Sequence, residues 1–418
     1  MVNPTGAHFQ VLKALDTAMA PSEIIGIVEK CLSVRVTGIS VKGCKVRKVQ
    51  LTNEGAIELE YRFKLTRPST GDKFRATIVG KIYPDEEGER EYEKISESLK
   101  GQGSLLGDSA LTGFALYVPE LRLLLASPSV DAKLPSLQVA LDRHAMKPFL
   151  AECLSRSTHR TESIRRCEVD ILRYRPGKRC VLRYRLEASH LDAGDVHERT
   201  FIGKIYGNRA DGEDVFRIMR WLYRNRFSRD SSDGVRIPEP LGYIPELHMV
   251  LMEDVPCPSL TKSFASPHLI DYLQAAARAL AKIHTCPLKV AKRYEVEGEV
   301  LGLKQRVARA VQLYPDLARS FESCLGAIIE SAHHIRCLEP VLVHGDLKCK
   351  GVELQWTEEE ARRYAEAFLV AYRRPIGSNV PGSVLTCVRI CLQGLRGDLF
   401  RLKRQARPRS RSGGPWKF

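Results

Sequence analysis

The stretch that begins at Cys44, "CKVRKVQLTNEGAIELEYRFKL", lies over the stretch that begins at Cys167, "CEVDILRYRPGKRCVLRYRLEA", without a gap. Cys44 meets Cys167, Val46 meets Val169, and Tyr61-Arg62 meets Tyr184-Arg185. Gly71-Asp72 meets Gly194-Asp195, and Gly80-Lys81-Ile82-Tyr83 meets Gly203-Lys204-Ile205-Tyr206. Further on, "YVPELRLLL" from Tyr117 is echoed by "YIPELHMVL" from Tyr243. A repeat of this extent constrains the architecture more than composition does. Whatever the first stretch folds into, the chain is expected to build twice.

Each copy spells the same local structure. Alternating residues run into a turn (Asn53-Glu54-Gly55, then Pro176-Gly177-Lys178) and alternate again, the pattern of a β-hairpin. A third strand ends in Gly-Lys-Ile-Tyr and a helical segment follows, "GEDVFRIMRWLYRN" in the second copy. A further hairpin then crosses Pro245 and leads into "MVLMEDVP". After Val255 the apolar residues of "PHLIDYLQAAARALAKIHTC" and "LKQRVARAVQLYPDLARSFESCLGAIIESAHHI" take one-sided helical spacing. The expected class is α+β, a duplicated β-rich part followed by a helical part.

Lys204 lies on the third strand of the second copy, in its closing Gly-Lys-Ile-Tyr. It reads either as an edge-strand lysine that keeps a sheet soluble or as a cation placed for an anionic ligand. Glu213 and Asp214 on the next helix are its candidate partners, although acids in a first helical turn also complement the dipole. His284, at a helix end, reads as a packing or capping residue, and His333-His334 lacks the spaced cysteines or carboxylates of a metal site. Late in the chain, in "VLVHGDLKCKGVELQW", an apolar run Val341-Leu342-Val343 delivers His344-Gly345-Asp346, a carboxylate at the end of a β-segment. "GQGSLLG", from Gly101, misses dinucleotide-loop spacing and reads as a connector.

The 418 residues suffice for two or three domains, and 44 % hydrophobic with 28 % charged content is that of an ordinary globular chain. No apolar run is long enough to span a bilayer, and "MVNPTGAHFQVLKALD" lacks the layout of a secretory signal. Twelve scattered cysteines with no Cys-x-x-Cys pair suggest reduced thiols and a cytoplasmic location. The net charge of +15 favours anionic partners. Part of it lies in a basic tail (Arg396, Arg401, Lys403, Arg404, Arg407, Arg409, Arg411, Lys417) with no row of aromatics to stack bases, so nucleic acid is not the expected partner.

Taken together, "LRYRPGKRCVLRYRL…GKIY", "LMEDVP", "AAARALAKIH" and "VHGDLK" resemble the aminoglycoside phosphotransferase and choline-kinase-like group, small-molecule kinases of the protein-kinase-like bilobal fold. The resemblance covers roughly Cys167 to Lys348, and "ARRYAEAFLVAYRR" resembles a late helix of the group. It implies a small-lobe-like repeat over residues 1–135, a kinase-like small lobe over 136–255, a shortened helical large lobe over 256–395 and a basic tail over 396–418. It further implies ATP as cofactor, with Lys204, fixed by an acid such as Glu213, on the phosphates. Met252, Glu253 and Val255 would border the adenine, and His344 and Asp346 would form the catalytic loop, Asp346 orienting the acceptor hydroxyl.

The chain departs from the family where magnesium is held. The Asn expected five residues after Asp346 is Gly351, and the strand carrying the metal-binding Asp is missing, because "VELQW" runs directly into Thr357-Glu358-Glu359-Glu360, a helix start. The resemblance therefore implies an ATP-dependent phosphotransferase acting on a neutral or anionic small-molecule hydroxyl substrate, without its usual magnesium ligands. The competing reading is a non-catalytic nucleotide-binding or regulatory pseudokinase.

Overall fold

The structure, a computed structural model, describes residues 14–35, 39–52, 56–69, 71–100, 113–158, 161–190, 196–256, 266–288, 296–313, 318–333 and 358–374. The chain divides into two compact units, one of residues 1–228 with 237–255, the other of residues 229–236 with 256–418. Among the described residues no helix is long and apolar enough to cross a membrane.

The first unit contains two antiparallel five-stranded sheets of the same strand order. In the first, helix α1 (Pro21–Arg35) precedes β1 (Ser40–Leu51), β2 (Ile57–Arg67) and β3 (Asp72–Ile82). Helix α2 (Glu87–Lys100) then leads to β4 (Ala115–Val118) and β5 (Leu123–Ala126), giving the order β1-β2-β3-β5-β4. In the second, helices α3 (Ser136–Leu141) and α4 (Arg143–Thr158) precede β6 (Glu162–Arg175), β7 (Arg179–His190) and β8 (Val196–Tyr206). Helix α5 (Arg209–Asn225), β9 (Pro240–Ile244) and β10 (Met249–Glu253) follow, giving β6-β7-β8-β10-β9. In each sheet the third strand in sequence is the central one. Lys204 is thus not on an edge, and a role limited to keeping an edge soluble is ruled out by topology.

The preceding helices cover one face of each sheet. On α1, Ile24, Val28 and Leu32 recur every four residues, one stripe of a helix, and pack on Leu59, Tyr61, Phe63, Ile78 and Ile82. Leu137, Ala140, Met146, Leu150 and Leu154 do the same for Leu182, Tyr184, Leu186, Ile205, Met249 and Leu251. Both cores bury a tyrosine hydroxyl and satisfy it alike. Tyr61 donates to the carbonyl of Ala18 and Tyr184 to that of Ala140, each at 2.8 Å. Such a bond removes the penalty of burying a hydroxyl unpaired.

Beside each tyrosine ring lies a glycine of the central strand. A Cβ on Gly80 would sit 2.7 Å from Tyr61 Cε2, and one on Gly203 would sit 2.8 Å from Tyr184 Cε2. The last hairpin of each sheet turns through a Pro-Glu-Leu 3-10 turn that ends in a left-handed, non-glycine residue, Arg122 or His248, both at φ 48°.

The segment leaving the first sheet reaches the second. Asp131 Oδ2 accepts hydrogen bonds from the Tyr174 hydroxyl and the Gly177 amide, each at 2.7 Å. Tyr174 lies near the end of β6 and Gly177 in the β6–β7 turn.

The second unit is helical where described: α6 (Leu269–His284), α7 (Val296–Leu313), α8 (Ala318–His333) and α9 (Glu358–Arg373). Leu269, Leu273, Ala277, Leu280 and Ala281 of α6 form a core with Phe368, Ala371 and Tyr372 of α9. His284 belongs to this packing, its Nδ1 hydrogen-bonded to the Tyr372 hydroxyl at 2.6 Å. Lys282, nearly buried, donates to Ser231 Oγ, Asp233 Oδ1 and the Val235 carbonyl, at 2.6, 2.7 and 3.0 Å. Helices α7 and α8 pack on each other but bury none of their described side chains, and Leu301 (58 %) and Ile328 (48 %) stay exposed.

Candidate functional site

The face of the second sheet opposite α3 and α4 carries the candidate site. Strand alternation puts Gly203 and Ile205 toward the core and Lys204 and Tyr206 toward α5. Lys204 pairs in register with Val181 of β7 on one side and Val250 of β10 on the other. Its Nζ stands 4.8 Å from the centre of the Tyr206 ring. Arg173 lies across from Val181, Arg179 across from Tyr206, and Arg175 across from Arg179. Burial, and then the positive charges of Arg179, Arg173 and Arg175, pull the Lys204 amine down to about 8.

Among the described residues no carboxylate lies within ion-pair distance of Lys204. Glu213 does not fill that place: its carboxylate pairs with Arg209 at 3.6 Å on the exposed side of α5, and Asp214 pairs with Arg217 at 3.1 Å. Both acids sit near the helix start, where Asn208 caps the end by accepting from the Asp211 amide. The α5 residues that turn toward the sheet are Val215, Phe216 and Met219, which pack around Tyr206, Val250 and Met252. The Tyr206 hydroxyl, buried, has no hydrogen-bond partner among the described residues.

The first sheet shows what such a lysine looks like when it is satisfied. Lys81 pairs with Glu91 of α2 at 3.7 Å and stands 4.6 Å from the Tyr83 ring, and the Tyr83 hydroxyl donates to the same Glu91 carboxylate. The stacked pair Tyr92–Tyr117 matches the stacked pair Phe216–Tyr243, so the position of Glu91 falls on Val215. Where the second sheet has Arg173, Arg175, Arg179 and Arg183, the alignment gives the first Gln50, Thr52, Ala56 and Glu60. Glu58, directly across from Lys81, takes the place of Val181. The first face pairs its lysines with acids, Lys48 with Glu58 and Lys81 with Glu91, whereas the second is cationic.

Met252 is buried at the end of β10, and Glu253 is tied to Glu239 by backbone and side-chain hydrogen bonds. Asp254 pairs with Arg183 Nε at 2.8 Å, which fixes the segment running to Val255 against β7. His344, Gly345, Asp346 and Gly351 lie outside the described residues. The arginine set went unnoticed in the sequence, although Arg173, Arg175, Arg179 and Arg183 occupy alternate positions of a hairpin and so share a face.

A cationic face with a partly buried amine and, among the described residues, no acid within ion-pair distance of it suits a phosphate-bearing anion. The same residues do not suit magnesium, which requires oxygen donors, and Gly351 carries no side-chain oxygen.

Residues 187–350 match the family model described as phosphotransferase enzyme family, part of the protein-kinase-like superfamily. The matched segment begins late in β7, contains Lys204 and α5 to α8, and extends past His344-Gly345-Asp346. That segment is therefore similar to a kinase-like phosphotransferase domain. No curated protein matches the chain.

Proposed function

We propose that the chain is an ATP-dependent phosphotransferase acting on a neutral or anionic small-molecule alcohol, with its nucleotide site on the cationic face of the second sheet. The observation that carries this reading is the convergence of Arg173, Arg175, Arg179 and Lys204 within or beside a phosphotransferase-family segment. Lys204 and the arginines hold the phosphates, Met252 to Val255 border the base, and Asp346 orients the acceptor hydroxyl. ATP supplies the phosphoryl group. Transfer rests on positioning and neutralisation of charge, and here arginines supply charge that carboxylate-held metal would otherwise provide. A polycationic acceptor is disfavoured by a net charge of +15. The two sheets are read as copies of one duplicated unit, the second of which keeps the ligand site.

The second reading is a nucleotide-binding pseudokinase, favoured by Val215 standing where a glutamate would fix Lys204. Thermal-shift titration with ATP, with and without magnesium, tests the common element of both. We expect stabilisation by ATP that responds weakly to magnesium, and absence of any ATP effect overturns both readings. Turnover of sugar or amino-alcohol acceptors, lost in Asp346→Asn, selects the first reading; binding without turnover selects the second.

A further inference from the structure

Away from the cationic face, at the other end of the β6–β7–β8 meander, three ionisable side chains meet. Glu162 opens β6, His190 closes β7 directly opposite it in register, and His197 is the second residue of β8. The Glu162 side chain is fully shielded from water, and the two imidazoles are 17 % and 20 % exposed. Glu162 Oε1 lies 3.0 Å from His190 Nδ1, and Oε2 lies 3.5 Å from His197 Nε2. Yet neither contact is aligned as a hydrogen bond, and among the described residues all four atoms are buried without a hydrogen-bond partner. The rings stand 4.8 Å apart, and the donor atoms of the three residues lie within 4.8 Å of one another.

Burying a carboxylate is costly unless it meets a cation in good geometry, and apolar residues can fill this place. The equivalent positions in the first sheet are Ile39, Arg67 and Phe74, and Ile39 and Phe74 pack against its core. Two nitrogens and a carboxylate that converge without hydrogen-bonding one another are arranged as ligands are. Metal–ligand bonds of about 2.0–2.1 Å in a tetrahedron put donor atoms about 3.3 Å apart, and the two Glu–His separations of 3.0 and 3.5 Å bracket that value. The Glu162 backbone is held in turn: its amide donates to Ser155 Oγ at 2.9 Å, and Ser155 donates to the Ala151 carbonyl.

We propose that Glu162, His190 and His197 bind one divalent transition-metal ion of the zinc class, with a water as fourth ligand. Nitrogen and carboxylate donors in this ratio suit zinc and its neighbours better than calcium or magnesium. The ion ties the start of β6 to the adjoining ends of β7 and β8, so it acts on stability rather than on phosphoryl transfer.

Isothermal titration of the metal-free, full-length chain with zinc chloride should show one saturable equivalent and a raised melting temperature. His190→Ala and His197→Ala should each weaken binding by about tenfold or more, since even the outer-shell partners of a metal contribute that much. The double substitution E162I/H197F copies the first sheet at two positions and should retain a cooperative melt and native circular dichroism while losing the zinc-dependent shift. Cobalt should bind with weak visible bands and without a thiolate charge-transfer band. The proposal is overturned by the absence of a saturable equivalent, by unchanged zinc affinity in the His190→Ala and His197→Ala chains, or by a cobalt–thiolate band that survives in E162I/H197F, which would assign the metal to cysteines.

Discussion

The two sheets of the first unit share strand order, core tyrosine and last turn, and differ in the face turned toward the following helix. In the first sheet Lys81 sits among Glu58, Glu60 and Glu91, and the Tyr83 hydroxyl is hydrogen-bonded. In the second, Lys204 sits among Arg173, Arg175 and Arg179 with Val215 in place of the glutamate, and the Tyr206 hydroxyl finds no partner among the described residues. One face is internally neutralised and stable as it stands. The other is left with positive charge and an unmet hydroxyl, features that cost stability in the empty protein and suit an anion. The core face is kept in both sheets while the outer face goes from neutralised to cationic, the difference on which the proposed ligand site rests.

The sharpest way to break this contrast is to remove each lysine. ATP-induced thermal stabilisation should vanish in Lys204→Ala and persist in Lys81→Ala; equal loss in both would end the assignment of the ligand site to the second sheet. Next in size are the central glycines. Gly80→Ala drives a Cβ toward Tyr61 and against Leu123 and Leu125 at 3.2 Å, whereas at Gly203 one near neighbour is the flexible Met249 side chain. Overpacking of this kind costs about 1–3 kcal/mol, and denaturant melts should place Gly80→Ala at the upper end and Gly203→Ala lower.

Exchanging the helix residue tests the charge contrast itself. Glu91→Val leaves the Tyr83 hydroxyl and Lys81 without their acid and should cost about 1–3 kcal/mol. Val215→Glu should give the opposite sign and weaken ATP binding, read by the same melts with and without nucleotide. The smallest effect is in pH. With the Lys204 amine lowered from 10.5 to about 8, the unfolded chain holds a proton that the folded chain has released between those values. Stability contributed at this site therefore rises as pH increases from 8 toward 10.5, and that component should be missing in Lys204→Met. In the second unit burial lowers His284 to about 4, so its contribution falls as pH drops from 6.5 toward 4.

Much of this was legible in the sequence, for physical reasons. Strand alternation, a Pro-Gly turn and the recurring Tyr-x-Pro-Glu-Leu segment are local signals, and they gave the strands and hairpins of both sheets. The partner of Lys204 was not legible. The alignment runs without a gap as far as Tyr206, but the link from Tyr206 to Gly212 is one residue longer than that from Tyr83 to Gly88. The extra residue rotates the helix numbering, so that Glu213 takes the exposed side and Val215 faces the sheet. The trio of Glu162, His190 and His197 was hidden for a different reason: it is assembled by strand register, and nothing in the separation of those residues along the chain announces it. That Lys204 lies on a central strand likewise follows from the return of β10 beside β8, a long-range pairing.

The carboxylate of Asp131 has a consequence for how the chain can be cut. It belongs to the segment leaving the first sheet, yet it receives the Tyr174 hydroxyl from the end of β6 and the Gly177 amide of the hairpin turn in the second. A fragment starting at residue 136 would contain every strand of the second sheet and still lose the anchor of its first turn, leaving a nearly buried phenol with nothing to bind. The border that the repeat draws along the chain is therefore not a border that a protease or a cloning primer should respect. The portable piece begins before Asp131, and the second sheet carries a few residues of inheritance from the first.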